Sequence, residues 1–464
     1  MDSIPRPARM HAVSDETTEI VDSVLDYARR RALYRDVPLD KPMTERELRR
    51  LAPGSITPEG IGARRAIARF EDVLAPACLS IDHPGYLSFI PSAPTKAAIA
   101  FDVVVSASAI YGGSWAEGAG AVYAENEVLH WLAAEFGLPE GAGGVFVQGG
   151  TIGNLSALVA ARQAARERRE AEGLPAPRRW VVVGSAEAHS SIASAAGVMD
   201  VDVLPVATGD DGLLHGAAVA AALDSLADED RAAFAVVATA GTTNFGIVDD
   251  LASIAAVTRE REVWLHVDGA YGLAAALVPE TRPLFAGVEF ADSLIVDPHK
   301  WLFAPFDACA LIYRDPGHGK RAHTQHAEYL DTLTEADDWN PADFAVQLTR
   351  RARGLPLWFS LATHGTEHYR EAIASGIELA RRIADEIERR DGVHLVRDPQ
   401  LSVVVFQREG WSPADYRAWS DRLLDEQLAF VVPSSHEGET VLRFAIVSPL
   451  TTFERLTEIL DTLE

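Results

Sequence analysis

From about Gly144 onward, short apolar runs alternate with Ala-rich segments of helical period. The runs lie at 145–147, 180–183, 201–205, 234–238, 263–267, 293–296 and 310–313. Several are apolar on successive residues, which suits strands buried on both faces of a mostly parallel sheet. Segments such as 155–170 and 215–226 supply the crossover helices. Upstream, Ile20, Val21, Val24, Leu25 and Ala28 recur at helical spacing, so the pattern predicts an amphipathic helix over 14–33. The Pro-containing stretch 37–57 reads as an extended arm. Beyond about Arg350 a long helix over 365–390 precedes strands at 394–397, 402–406, 429–432 and 441–446, and 451–463 closes the chain as an amphipathic helix. The expectation is an α/β protein in three parts: an N-terminal helical arm (1–80), a large domain (81–349) and a smaller C-terminal α+β domain (350–464).

Composition narrows the function classes. The chain has 464 residues, 48% of them hydrophobic and 24% charged, the balance of a soluble globular protein. A formal net charge of -26 argues against nucleic acid, whose phosphates need clustered Lys and Arg. No apolar run is long enough to span a bilayer, so no membrane partner is expected. Residues 1–13 include Pro5, Arg6, Pro7 and Arg9 and lack a signal-peptide core, which points to the cytoplasm. Cys78 and Cys309 are too few for a disulfide scaffold or an all-cysteine metal site, and no metal is expected.

Candidate chemistry gathers where the apolar runs end. In 293–301, Pro298 cannot continue a central strand, so His299 and Lys300 fall on the loop beyond it. Such loops are where α/β sheets bind ligands. A lysine partly desolvated there is expected to have a lowered pKa and to attack an aldehyde as the neutral amine. The alternative is a surface lysine at a strand end. In 263–271, alternation sends His266 and Asp268 to one face, with Ala270 just past the strand. A carboxylate in so apolar a strand needs a cationic partner, and a protonated pyridine nitrogen is one; a helix-capping Asp is the alternative.

The turn Gly149-Gly150-Thr151 joins a strand to a helix and suits a phosphate, but it has neither the P-loop lysine nor the dinucleotide glycine spacing. His189 follows the run 180–183, placed to stack on an aromatic ring, and Thr239, Thr242 and Thr243 follow 234–238. Either segment alone reads equally well as helix capping. Five such elements at five strand ends point to a pyridoxal-phosphate enzyme acting at the α-carbon of an amino acid.

These residues resemble the group II pyridoxal-phosphate-dependent amino-acid decarboxylases, the relatives of aromatic amino-acid and glutamate decarboxylases. The likeness runs from about Leu74 to Thr452. It is carried above all by Asp297-Pro-His-Lys300-Trp301 and His266-Val-Asp268-Gly-Ala270, and also by His83-Pro-Gly-Tyr86, Arg350-Arg351 and Leu442-Arg443. The resemblance implies a fold type I, transferase-like architecture and a homodimer with shared active sites. It implies that Lys300 carries pyridoxal 5'-phosphate as a Schiff base, that Asp268 pairs with the pyridine nitrogen, and that His189 stacks on the ring with Ala270 on the other face. Thr243 would lie beside the cofactor hydroxyl, and Gly150 and Thr151, assisted by His299, would hold the phosphate. Phe89, Pro91, Ser92 and Trp115 would line the substrate side. Phe306 would reach the neighbouring subunit's site. Arg443 matches an arginine that meets the substrate carboxylate in some members; a surface strand arginine is the other reading.

Two departures bear on the reaction. The family carries a tyrosine, ahead of the Arg-Arg pair, that protonates Cα after carbon dioxide leaves. Here 337–344 reads Asp-Asp-Trp-Asn-Pro-Ala-Asp-Phe, with Tyr329 further upstream. Family variants that make aldehydes also replace this tyrosine. The stretch Trp115-Ala-Glu117-Gly118 replaces a Ser-Pro-Ala segment, which implies an unusual substrate pocket. The leading expectation is therefore decarboxylation of an L-amino acid to its amine. A second is decarboxylation coupled to oxidative deamination, giving an aldehyde, on a conjugated cysteine or an aromatic amino acid in a natural-product pathway. Transamination, β-elimination and a cofactor-binding module without turnover are the remaining alternatives.

Overall fold

Consecutive residues of the central strands point to opposite sides of one sheet, and both sides are covered. Val181, Val183, Val236, Leu265 and Leu294 enter one apolar core. Val182, Ala235, Val237, Trp264 and Ile295 enter the other. That double burial is why these runs are apolar on successive residues. In the computed structural model, which describes residues 10–226, 230–325 and 338–463, the strands are β1 (Gly143–Val147), β2 (Arg179–Ser185), β3 (Asp202–Val206), β4 (Arg231–Thr239), β5 (Trp264–Asp268), β6 (Ser293–Val296) and β7 (Cys309–Tyr313). Their order is β1-β7-β6-β5-β4-β2-β3. Only β7 runs against its neighbours, β1 and β6. This is the fold type I architecture, a large mixed sheet with a smaller α+β unit.

Helix Gly150–Ala171 crosses the second face and packs close because of Gly153. A Cβ there would come within 2.9 Å of Cys309 Sγ and Ile295 Cγ2, a clash. Helix Trp115–Glu135 carries Glu125 inward to a salt bridge with Arg350 at 2.7 Å, the two side chains 2% and 0% exposed.

The smaller sheet has the order β10-β11-β9-β8, built from β8 (Val393–Arg397), β9 (Val403–Arg408), β10 (Ser434–His436) and β11 (Glu439–Ala445). On β11, Leu442 and Phe444 enter the core of this smaller unit, whereas Val441 and Ala445 join the core of the large sheet. Helices Thr366–Glu388 and Phe453–Asp461 cover it. The strand expected at 429–432 is not formed. Phe430 instead makes a single bridge to Tyr86, and Leu87 donates its N–H to Phe430 O at 3.1 Å and accepts from Ala445 N at 2.9 Å. Leu87 thus stands between Phe430 and Ala445 at the end of β11; a hydrophobic run does not name its partner.

The stretch 37–57 is not wholly extended. Thr44 and Glu47 form a reciprocal capping box, and Glu45–Leu51 is helical. Helix Asp15–Ala32 forms as the spacing predicts, but none of its residues is buried, and Ile20, Val21, Val24 and Leu25 are 37% to 53% exposed. Among the described residues no helix is long and apolar enough to cross a membrane, and no group of three or more His, Cys, Asp or Glu is placed to hold a metal ion.

Candidate active site

Five strands release their chains on the same side of the sheet, and the loops converge on a cavity of about 410 Å³. β1 leads to Gly149, Gly150 and Thr151; β2 to His189; β4 to Gly241 and Thr243; β5 to Ala270; β6 to Asp297, His299 and Lys300, and all of these line the cavity with Asp268. Parallel strands put their carboxyl ends together, so residues as far apart in sequence as Gly149 and Lys300 meet without any one motif spanning them.

Lys300 Nζ lies 3.0 Å from Asp297 Oδ2. Burial alone would depress the ammonium. The carboxylates of Asp297 and Asp268 overcome it and hold Lys300 above its ordinary value. The lowered pKa expected from desolvation is therefore corrected: the apolar setting was legible, the two flanking anions were not. His299 Nε2 stands 3.7 Å from the same Asp297 oxygen, and its Nδ1 meets Ala308 O at 2.7 Å.

Asp268 accepts from the Asn154 amide at 2.9 Å and from the Ala270 N–H at 3.2 Å. Asn154 Oδ1 meets His266 Nε2 at 2.8 Å, and His266 Nδ1 meets Ser293 Oγ at 2.8 Å. Burial pushes the His266 imidazole down to about 4, so it is neutral. His189 is the N-cap of helix Ser190–Met199 and accepts from Ser191 N at 3.2 Å while lining the cavity, so capping and site placement coincide.

On the substrate side the outcome is mixed. Phe89 lines the cavity with a left-handed backbone (φ 53), a strained setting for a bulky residue. Phe306, 54% exposed, stands beside His299 with ring centroids 5.0 Å apart. Ser92, Trp115 and Arg443 are not among the lining residues. Ser92 is fully buried and donates to Val447 O at 2.8 Å. The Trp115 N–H donates to Asn340 Oδ1 at 2.9 Å, tying that helix to the segment after residue 337. Arg443 is neither at the cavity nor a surface arginine: it is buried and binds the carbonyls of Thr243 and Phe89, the latter at 3.2 Å. It clamps two cavity loops. Trp339 stacks on Phe344, beside Gly143 at the start of β1 and so away from Lys300. Tyr329 lies outside the described residues.

Sequence reasoning missed Asn154, Ser191, Tyr271 and Asp297 as cavity residues. Only a helical count from Gly150 would have flagged Asn154, four residues on and on the same face.

Residues 46–409 match the family model described as the pyridoxal-dependent decarboxylase conserved domain. The chain belongs to that family. It is 31% identical over 400 residues to an aromatic-L-amino-acid decarboxylase of Bacillus atrophaeus, covering 82% of this chain and 80% of that one. It is 28% identical over 417 residues to a 3,4-dihydroxyphenylacetaldehyde synthase of Aedes aegypti, covering 85% and 78%. The crystal structure of Oryza sativa TDC with PLP and tryptamine superposes with a TM-score of 0.89 at 26% identity, covering 97% and 98%.

The pyridoxal-dependent decarboxylase family implies a phosphorylated aldehyde cofactor, and the residues fit one. The 22-residue helix Gly150–Ala171 opens onto the cavity, where its first N–H groups favour an anion. Gly150 keeps that cradle clear, since a Cβ there would reach Asp297 Oδ2 and Ile295 Cδ1 at 3.3 Å. An amine, Lys300, and a carboxylate tied by hydrogen bonds, Asp268, line the same space.

Proposed function

We propose that this protein decarboxylates an L-amino acid to its amine, using pyridoxal 5'-phosphate bound through Lys300. The observation that carries the reading is that Lys300, Asp268 and His189 line one cavity at the head of the helix beginning at Gly150. When bound, the cofactor supplies an aldehyde for amines and a ring that takes up the electron pair left as carbon dioxide departs. Gly150 and Thr151, with His299 nearby, would hold the phosphate end. Asp268, held by Asn154 and the Ala270 N–H, would keep the ring nitrogen protonated. Ala270 and His189 would bracket the ring, and Thr243 would face its edge. Phe89 and Phe306 shield the substrate side from water, Phe89 fixed through its carbonyl by Arg443. Lys300 would carry the cofactor, and Asp297 would hold its free amine as the ammonium.

The unpartnered apolar side of helix Asp15–Ala32 supports a homodimer, a second copy covering Ile20, Val21, Val24 and Leu25. The absence of tyrosine from 337–344 favours a second reading. There, dioxygen and water convert the amino acid to aldehyde, carbon dioxide, ammonia and hydrogen peroxide. Product analysis on a panel of L-amino acids, under air and under nitrogen, tests both. Amine formed equally in the two atmospheres supports the first reading. Aldehyde formed only with oxygen uptake supports the second. No carbon dioxide from any substrate defeats both.

A further inference from the structure

Hydrogen bonds run without a gap from the edge of the second core to the cavity, and their donors can be assigned from the two ends. Trp264 Nε1, which only donates, meets Ser293 Oγ at 2.9 Å. At the other end the Asp268 carboxylate only accepts, which turns the Asn154 amide nitrogen toward it and leaves Asn154 Oδ1 to accept from His266 Nε2–H; Nδ1 of this neutral imidazole then accepts from the Ser293 hydroxyl. The Asn154 amide nitrogen then gives one hydrogen to Asp268 Oδ2 at 2.9 Å and the other to Ser191 Oγ at 2.8 Å. A reversed amide would press its oxygen against the Asp268 carboxylate. His189 Nδ1 accepts the Ser191 N–H at 3.2 Å and so carries no proton, and the Ser191 hydroxyl donates to the same nitrogen at 2.8 Å. Asn154, Ser191 and His266 are 1%, 3% and 0% exposed, so water does not replace these partners.

We infer that Asn154 and Ser191 are positioning residues that couple Asp268 to His189 and hold His189 as the neutral Nε2–H imidazole. With the Ser191 N–H and hydroxyl both directed at Nδ1, the ring proton sits on Nε2. The imidazole offers a hydrogen bond from Nε2 and is not an acid for the substrate carbon. His189 thus orients the substrate, and the proton that completes amine formation comes from another group. The inference deepens the proposed reading of the site and rests on it for its catalytic meaning, while the tautomer itself is a property of the chain alone.

The test is a two-bond proton–nitrogen correlation spectrum of the histidine-labelled full chain at neutral pH, with His189 assigned from the spectrum of His189→Gln. The wild-type ring is expected as the Nε2–H form. Asp268→Asn is expected to shift the His189 Nδ1 resonance, and that response is expected to vanish in a Ser191→Ala background. Ser191→Ala is expected to slow turnover about tenfold, the loss of one hydrogen bond at the site, with Ser191→Thr restoring most of it. A wild-type ring protonated on Nδ1 overturns the inference. So does a His189 resonance indifferent to Asp268→Asn, or one that responds equally with and without the Ser191 hydroxyl. Borohydride trapping at Lys300, read separately, reports on the cofactor reading without involving this network.

Discussion

The Lys300 ammonium and Asp297 Oδ2 lie 3.0 Å apart, with Asp297 only 2% exposed and its other oxygen unpartnered. This ion pair sets the protonation of the site before any ligand arrives, because an amine attacks an aldehyde only when neutral. Replacing Asp297 by Asn removes the nearer anion. Each pKa unit by which the ammonium then falls raises the free amine about tenfold. Mixing the stripped protein with pyridoxal phosphate and following the growth of visible absorbance should show faster condensation in Asp297→Asn at neutral pH. An unchanged rate would take Asp297 out of that control.

Lys300 and Asp268 should separate under substitution. Lys300→Ala should give no borohydride-trapped adduct on peptide mapping. Asp268→Asn should still be trapped at Lys300 but turn over on the order of 10²–10³-fold more slowly, as when one preorganised electrostatic partner is lost. Equal loss of trapping in both would mean that Asp268 is needed for loading, not for the reaction.

Outside the cavity lining, Glu125 is the sole carboxylate on Arg350 among the described salt bridges. It takes both terminal nitrogens, at 2.7 and 3.0 Å, and also the Gly354 N–H at 2.7 Å. Glu125→Leu strands a buried guanidinium and an amide. Stability should fall by about 3–5 kcal/mol, the cost of breaking one side of a buried pair. Urea unfolding of the two proteins measures it, and a loss below about 1 kcal/mol would mean that the Phe146 and Gly112 carbonyls suffice for Arg350.

The buried histidines should cost the fold stability from pH 6.5 downward. Burial pushes His83 and His266 from 6.5 to about 4. Above 6.5 both are neutral folded and unfolded, and nothing is lost. Between 6.5 and 4 the unfolded chain takes up protons that the folded one refuses, so each costs about 1.4 kcal/mol per pH unit. Asp249 works the other way. Burial lifts it from 3.8 to about 6, so its contribution is present below 3.8 and fades as the pH rises through 6. Burial also lowers His323 and raises Asp292 and Asp40, so the His83 share is read from a substitution and not from the total. In His83→Asn, whose amide oxygen can still accept the Gly85 N–H that His83 Nδ1 takes at 2.9 Å, unfolding free energy should fall less steeply between pH 6.5 and 5. Equal slopes would clear His83.

The successive apolar residues of β2, β4, β5 and β6 and the punctuation at Pro298 made the sheet legible, along with the strand ends that bear Thr151, His189, Asp268 and Lys300. Burial on two faces leaves an unmistakable mark on a local run of residues. Partner choice leaves none, which is why 429–432 reads as a strand while Phe430 makes only a single bridge to Tyr86.

By itself the sequence determined which side chains stand at the ends of buried strands, because period and chain-breaking residues act over a few positions. Only the tertiary structure decided what those side chains meet. It set Asp297 against Lys300, tied Asn154 to both Asp268 and His266, and turned Arg443 onto the carbonyls of Thr243 and Phe89. Charge and hydrogen bonding depend on distance in space, and these pairs are from 3 to 354 residues apart along the chain.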